Sequence, residues 1–163
     1  AGFAQAAGAK LAHVKPHGAL YNWAAKDRES ACAIARAVAA FDPDLIVVTL
    51  PGSALAEAAR DRGLRVAREG FADRAYQADG TLVPRSEPGA VIHDPAQAAA
   101  RAVQMVTQGE IQTLDGAALA LEVDTLCVHG DTPDAVSIAA QLRRALEAAG
   151  VMVTPLAQIV GAP

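Results

Sequence analysis

The stretch Leu45-Ile46-Val47-Val48-Thr49-Leu50 is short, β-branched and apolar on both faces. That is the pattern of a strand covered on both sides in a parallel sheet. Asp42-Pro43-Asp44 turns the chain into it and Pro51-Gly52 ends it. Ser53 then fits an N-cap, opening a helix that runs toward Arg62 before Gly63. Upstream, Ala31, Ile34, Ala35, Val38 and Phe41 recur at helical spacing and predict a helix over 27–41. Short apolar runs at 11–14 and 64–68 read as flanking strands, the second ending at Glu69-Gly70-Phe71. Strands alternating with crossover helices require a parallel sheet.

Farther along, 75–77 and 81–83 flank Ala78-Asp79-Gly80 and read as a hairpin with an Asp-Gly turn. Asp94-Pro95 opens a helix with a cap followed by proline, reaching about residue 108. A second hairpin is expected from 112–114 and 118–121 around Asp115-Gly116. A strand at 124–128 leads to His129-Gly130-Asp131-Thr132-Pro133. A helix over 133–149 follows, with Val136, Ala140, Leu142 and Leu146 in helical spacing. Gly150 stops it, and 151–153 reads as a last strand. At the start, Phe3 and Ala7 fit a helix end with Gly8 as its stop. The chain therefore reads as beginning inside an element, with an N-terminal portion missing. The fold class is α/β, one parallel β/α domain over 1–163, open or closed into a barrel.

The 163 residues carry 14 Lys+Arg against 18 Asp+Glu, a net charge of −4, which speaks against a nucleic-acid partner. Hydrophobic residues make up 52%, much of it alanine, but no apolar run reaches the roughly 20 residues that cross a bilayer. Neither a membrane partner nor an export signal is indicated, and a cytoplasmic location is expected. Cys32 and Cys127 read as reduced thiols far apart in the chain.

Ionisable residues gather just beyond strands: Lys15 and His17, then Glu69, Asp73 and Arg74, then His129 and Asp131. In parallel α/β folds ligands bind outside the carboxyl ends of the strands, so these groups are expected to share one pocket. His17 could be a base, a metal ligand or a donor to substrate, and Lys15 could hold a carboxylate or phosphate. Glu69, Asp73 and Arg74 either set two carboxylates at different ionisations for acid–base work or form an ion-pair network that fixes the loop. Arg85 is a further candidate anion clamp. His129 is the most pointed candidate, while Asp131 and Thr132 could simply cap the next helix. His13 and His93 read as structural or surface residues. No phosphate-binding glycine loop, dinucleotide fingerprint, His-Glu-x-x-His or Gly-x-Ser-x-Gly occurs. The histidines with an aspartate would permit a divalent metal, but their spacing assigns no ligand.

Five segments in order resemble the LamB/YcsF lactam-utilisation family: 14–22 (VKPHGALYN), 69–76 (EGFADRAY), 79–85 (DGTLVPR), 88–92 (PGAVI) and 127–133 (CVHGDTP). The resemblance implies a distorted β/α (TIM-like) barrel related to polysaccharide deacetylases. Family members begin with an Asp-x-Asn-x-Asp-x-Gly-Glu strand that this chain lacks, so the barrel is expected to be incomplete at its N-terminus and the chain to be a C-terminal fragment of the family domain. The resemblance further implies a part in 5-oxoprolinase: ATP-dependent opening of 5-oxoproline (pyroglutamate) to L-glutamate with subunits B and C, using ATP with Mg. An unstrained lactam is a poor electrophile, and phosphorylating the amide oxygen would make it reactive. On this reading Glu69, Asp131, His17 and His129 are the catalytic candidates, with Glu69 or Asp131 as base and the histidines carrying protons. Lys15, Asp73, Arg74 and Arg85 would bind substrate. The alternatives are a metal-dependent, deacetylase-like carbohydrate hydrolase and a partner-binding component without catalysis of its own. Each of these readings is compatible with a homo-oligomer.

Overall fold

A computed structural model describes residues 1–130 and 135–161. The chain divides into two compact units, Ala1–Ala67 with Pro155–Pro163, and Arg68–Thr154. The α/β class with parallel strands is as the sequence predicts.

In the first unit α1 (Gly2–Ala6) leads through Gly8, at φ 67°, to β1 (His13–Val14). A helix not anticipated from sequence, α2 (Ala19–Lys26), follows Gly18. Its signal is there in the buried Tyr21, Ala24 and Ala25, at i, i+3 and i+4. The Pro16 and Gly18 breakers just before it draw the reading toward a loop. α3 (Arg28–Phe41) is capped by Asp27, whose carboxylate accepts from the Ser30 N–H at 2.7 Å. β2 (Ile46–Thr49) is buried at every position and pairs in parallel with β1, His13 opposite Ile46. Ser53 caps α4 (Ala54–Arg60) by accepting from the Ala56 N–H. The core joins Ala24 of α2, Ala31, Ala35 and Val38 of α3, Val47 of β2, and Leu55, Ala58 and Ala59 of α4. Alanine at these contacts lets the helices approach the strands closely, which explains how so few large side chains fill the unit. Phe41, placed by periodicity on the apolar face, is 63% exposed at the helix end.

β3 (Val66–Phe71) begins in the first unit and continues into the second. The strand lies later than the expected 64–68, so Glu69 stands inside it rather than beyond its end. In the second unit α5 (Pro95–Gln108) starts at the Asp94 cap and stops at Gly109, at φ 64°. β4 (Glu110–Gln112) and β5 (Ala118–Ala120) form the second hairpin antiparallel, with Gly116 (φ 86°) in its turn. Its first strand precedes the expected one because the Thr113 hydroxyl binds Asp115 and turns the chain early. The first hairpin is present as the Tyr76–Leu82 antiparallel bridge, tightened by Gln77 N–H to the Thr81 carbonyl at 2.8 Å. β6 (Thr125–Cys127) pairs in parallel with β3.

α6 (Ala135–Ala148) buries Ile138, Leu142 and Leu146. Ile138 and Leu142, with Ala98 and Ala102 of α5, build this unit's core. The stripe falls at i, i+4 and i+8, so Val136 and Ala140 lie off it, Val136 at 85% exposure. The expected helix start at Pro133 and the cap at Asp131 or Thr132 lie outside the described residues. The expected strand at 151–153 is not formed. Val151 instead closes the helix end with its N–H on the Leu146 carbonyl, and Met152 and Val153 are exposed. The chain then enters α7 (Leu156–Ile159), where Leu156 packs against Ile46, Val48 and Ala67 of the first unit.

Candidate functional site

Strand alternation places Ala67, Glu69 and Phe71 on one face of β3 and Arg68 and Gly70 on the other. The two faces have different chemistry. On one, Gly70 lies so close to α5 and the segment before β6 that a Cβ would meet Met105 Sδ and lie 2.8 Å from Val123 Cγ1. Beside it Arg68 donates to Asp124 through Nε at 2.9 Å and Nη2 at 2.8 Å. On the other, Glu69 is only 4% exposed and Phe71 3%.

The β3–β6 register pairs Phe71 with Cys127. Two residues past each lie Asp73 and His129, and their side chains meet: His129 Nδ1 is 2.7 Å from Asp73 Oδ2. The imidazole also stacks on Phe71, with centroids 5.7 Å apart and planes 25° from parallel. Asp73 is buried, and its Oδ1 has no hydrogen-bond partner among the described residues. Asp73 turns to the histidine, while Arg74 donates to the Ala90 and Val83 carbonyls at 3.3 and 2.5 Å. Burial, then the charge of Arg85, pulls the Arg74 guanidinium below its ordinary value.

Tyr76 completes the cluster. It is fully buried, and its oxygen accepts the Phe71 N–H at 2.8 Å. Burial pushes its phenol well above the ordinary range, and the charges of Glu69 and Asp73 add to that, so both carboxylates act on it. Arg101 of α5 donates to the Arg74 and Gln112 carbonyls at 3.3 Å each and opposes that shift. Sequence reasoning gave no role to Phe71, Tyr76 or Arg101. The available signal for Tyr76 is that it is one of two tyrosines in the chain.

Lys15 and His17 belong to the first unit, where Lys15 Nζ lies 5.3 Å from the Tyr21 ring centroid and His17 is exposed before α2. Arg85 is exposed in the loop after the first hairpin. Asp131 lies outside the described residues. Cys32 and Cys127 are half-buried thiols that form no disulfide. A groove of about 500 Å³ in the second unit is lined by Tyr76, Val83, Pro84, Glu87, Leu114 and Asp115 among others, and none of the residues expected from sequence borders it.

Glu69, Asp73 and Tyr76 thus form a buried, electrostatically linked group, and Asp73 joins it to the partly open His129 imidazole. Such a group can take and return a proton. Among the described residues no three His, Cys, Asp or Glu side chains gather to hold an ion. The buried Arg74 and the half-buried Arg101 donate to backbone carbonyls. No helix is long and apolar enough to cross a membrane among the described residues.

This arrangement sits in a chain with close relatives. The 5-oxoprolinase A-subunit of Syntrophobacter fumaroxidans is 56% identical over 156 residues, 96% of this chain and 62% of that protein. The protein of the same name from Pyrococcus furiosus is 54% identical over 158 residues, 97% of this chain and 62% of that protein. The crystal structure of the lactam utilization protein of Thermus thermophilus superposes with a TM-score of 0.86 at 53% identity, over 93% of this chain and 60% of that one. The chain spans about three fifths of the length of these relatives. The LamB/YcsF family model matches residues 1–161, and the chain belongs to that family.

Proposed function

We propose that this chain acts in a 5-oxoprolinase as its A-type component, hydrolysing the ring amide of 5-oxoproline to L-glutamate at the expense of ATP, in a complex with subunits B and C. The observation that supports it most is the Asp73–His129 pair beside buried Glu69, in a family whose relatives bear that component's name. Those names designate one component of a larger enzyme, which itself speaks for partner subunits.

ATP supplies the driving force by activating the amide, and the steps argued for this chain are those on the lactam. His129 Nε2 takes a proton from water as the water oxygen bonds to the ring carbonyl carbon. The same nitrogen returns a proton to the ring nitrogen as the C–N bond breaks. Glu69, shielded from solvent, is the second proton-handling group. Lys15 and Arg85 are assigned to the anions, His17 to proton transfer and Asp131 to a base role, from their charge and chemistry at strand ends. Arg74 is better suited to holding the hairpin than to binding substrate, because its donors go to carbonyls.

The test is a coupled assay of 5-oxoproline and ATP, with and without subunits B and C, reading glutamate and phosphate. Glutamate formed only by the complete complex, and lost in His129→Asn, is the expected result. Absence of glutamate from a complex containing the intact chain would remove the assignment.

A further inference from the structure

We infer that Asp73 is a positioning residue for His129 and not a substrate ligand: it fixes the imidazole with its proton on Nδ1 and leaves Nε2 as the nitrogen that exchanges protons. The inference rests on the proposed function only for the reaction in which Nε2 serves.

The geometry carries it. An ionised carboxylate has no proton to give, so at 2.7 Å the hydrogen of a neutral imidazole lies on Nδ1, donated to Asp73 Oδ2. The Asp73 side chain is 8% exposed and that of His129 21%, so the histidine, not the aspartate, is what an incoming molecule meets. Phe71 stacks against the ring and restrains its plane. Asp73 itself is anchored by backbone, its carbonyl accepting the Ile92 N–H at 2.8 Å. Both residues stand two positions past a paired couple in the β3–β6 register, which brings the turn holding Asp73 alongside the segment that follows β6. A carboxylate used this way fixes a tautomer and stabilises the imidazolium without entering the proton transfer itself.

The test reads the tautomer first. In the chain labelled with ¹⁵N-histidine, long-range ¹H–¹⁵N correlation at alkaline pH should show His129 protonated at Nδ1. Asp73→Asn presents an amide donor to Nδ1 and should move the proton to Nε2. In the assembled complex the same variant should lower kcat about 10²- to 10⁴-fold, with KM for 5-oxoproline within about threefold of the unaltered enzyme. An Nε2–H tautomer in the unaltered chain overturns the inference and needs no variant to fold. A KM raised about tenfold or more with kcat unchanged also overturns it, because that is the mark of a substrate ligand. If the tautomer switches while both Asp73→Asn and His129→Asn turn over normally, the positioning stands and the proposed role of His129 in lactam opening falls.

Discussion

His129 Nδ1 and Asp73 Oδ2 lie 2.7 Å apart although 56 residues separate them in the chain. The parallel pairing of Phe71 with Cys127 brings them together, since each follows its strand partner by two positions. Slipping that register by one residue would shift the turn after β3 along the segment after β6 and pull the two side chains apart. The acid–base pair is thus a direct product of strand pairing, and the energetics of β3 and β6 bear on the site as much as the residues in it.

Glu69 is the cleanest probe of the chemistry outside that pair. Glu69→Gln keeps the shape of a side chain only 4% exposed and removes its ability to hold a negative charge. Glutamate formation by the assembled complex should fall about 10²- to 10⁴-fold, with the far-ultraviolet dichroism of the chain retained. Unaltered turnover would take Glu69 out of the reaction and leave it as a buried structural carboxylate.

Tyr76→Phe tests the floor of the cluster. The Phe71 N–H, which now donates to the Tyr76 oxygen at 2.8 Å, would lose its acceptor in a buried setting. Such a donor costs about 1–3 kcal/mol, read as a lower urea midpoint at unchanged slope. A variant as stable as the unaltered chain would mean that another acceptor takes the amide.

The same tyrosine gives a pH dependence. Burial raises its phenol in the folded state above the ordinary value of about 10. The folded chain therefore prefers the neutral phenol more strongly than the unfolded chain does. That contribution is complete below about pH 10 and is lost as pH rises from the unfolded value toward the folded one. Stability followed by urea titration should decline above about pH 10, and Tyr76→Phe should flatten the decline. An equal slope in both proteins would assign the alkaline loss to other groups.

The parts of the fold legible in the sequence are those where one local signal has one meaning. Asp27, Ser53 and Asp94 announce helix starts because a side-chain oxygen bonding a free N–H is a local event. The all-apolar 45–50 run announces a buried strand because only burial on both faces suits it. Legibility fails where tertiary context decides. Val151 and Val153 have strand propensity, yet the Val151 N–H closes a helix instead. The site is half legible for the same reason. Ionisable groups at strand ends mark Asp73 and His129, but their bond depends on register, which the sequence does not display. Arg74 reads as an anion clamp because the carbonyls of Val83 and Ala90 that occupy it come from a later part of the hairpin region.

Gly70 is required by packing rather than by backbone conformation. An added methyl would meet Met105 and Val123, and Leu126 Cδ2 at 3.2 Å. Gly70→Ala should destabilise the chain by about 1–3 kcal/mol and, by pushing β3 off α5, also weaken turnover through the neighbouring Glu69. A neutral effect on melting would show that Met105 swings aside at little cost.

Arg68 offers a paired comparison that separates buried from exposed electrostatics. Its backbone N–H and Nε both donate to Asp124 Oδ2, at 2.8 and 2.9 Å, and Nη2 reaches Oδ1. Asp124 is 15% exposed, whereas Glu122, the guanidinium's other partner, is 77% exposed. The hydrogen bond from Arg68 to Asp124 is the chief cause that raises the Arg68 guanidinium above its ordinary value. Asp124→Ala strips the acceptor from three donors at the entry to β6, so a loss of about 1–3 kcal/mol is expected. Glu122→Ala removes a solvent-screened partner and should cost about 0–1 kcal/mol, shrinking further at high salt. Because Asp124 immediately precedes β6, its loss should also loosen the register that places His129. Asp124→Ala should therefore lower activity where Glu122→Ala leaves it intact. Equal losses from the two variants would show that the network acts through charge alone and not through the geometry of the strand entry.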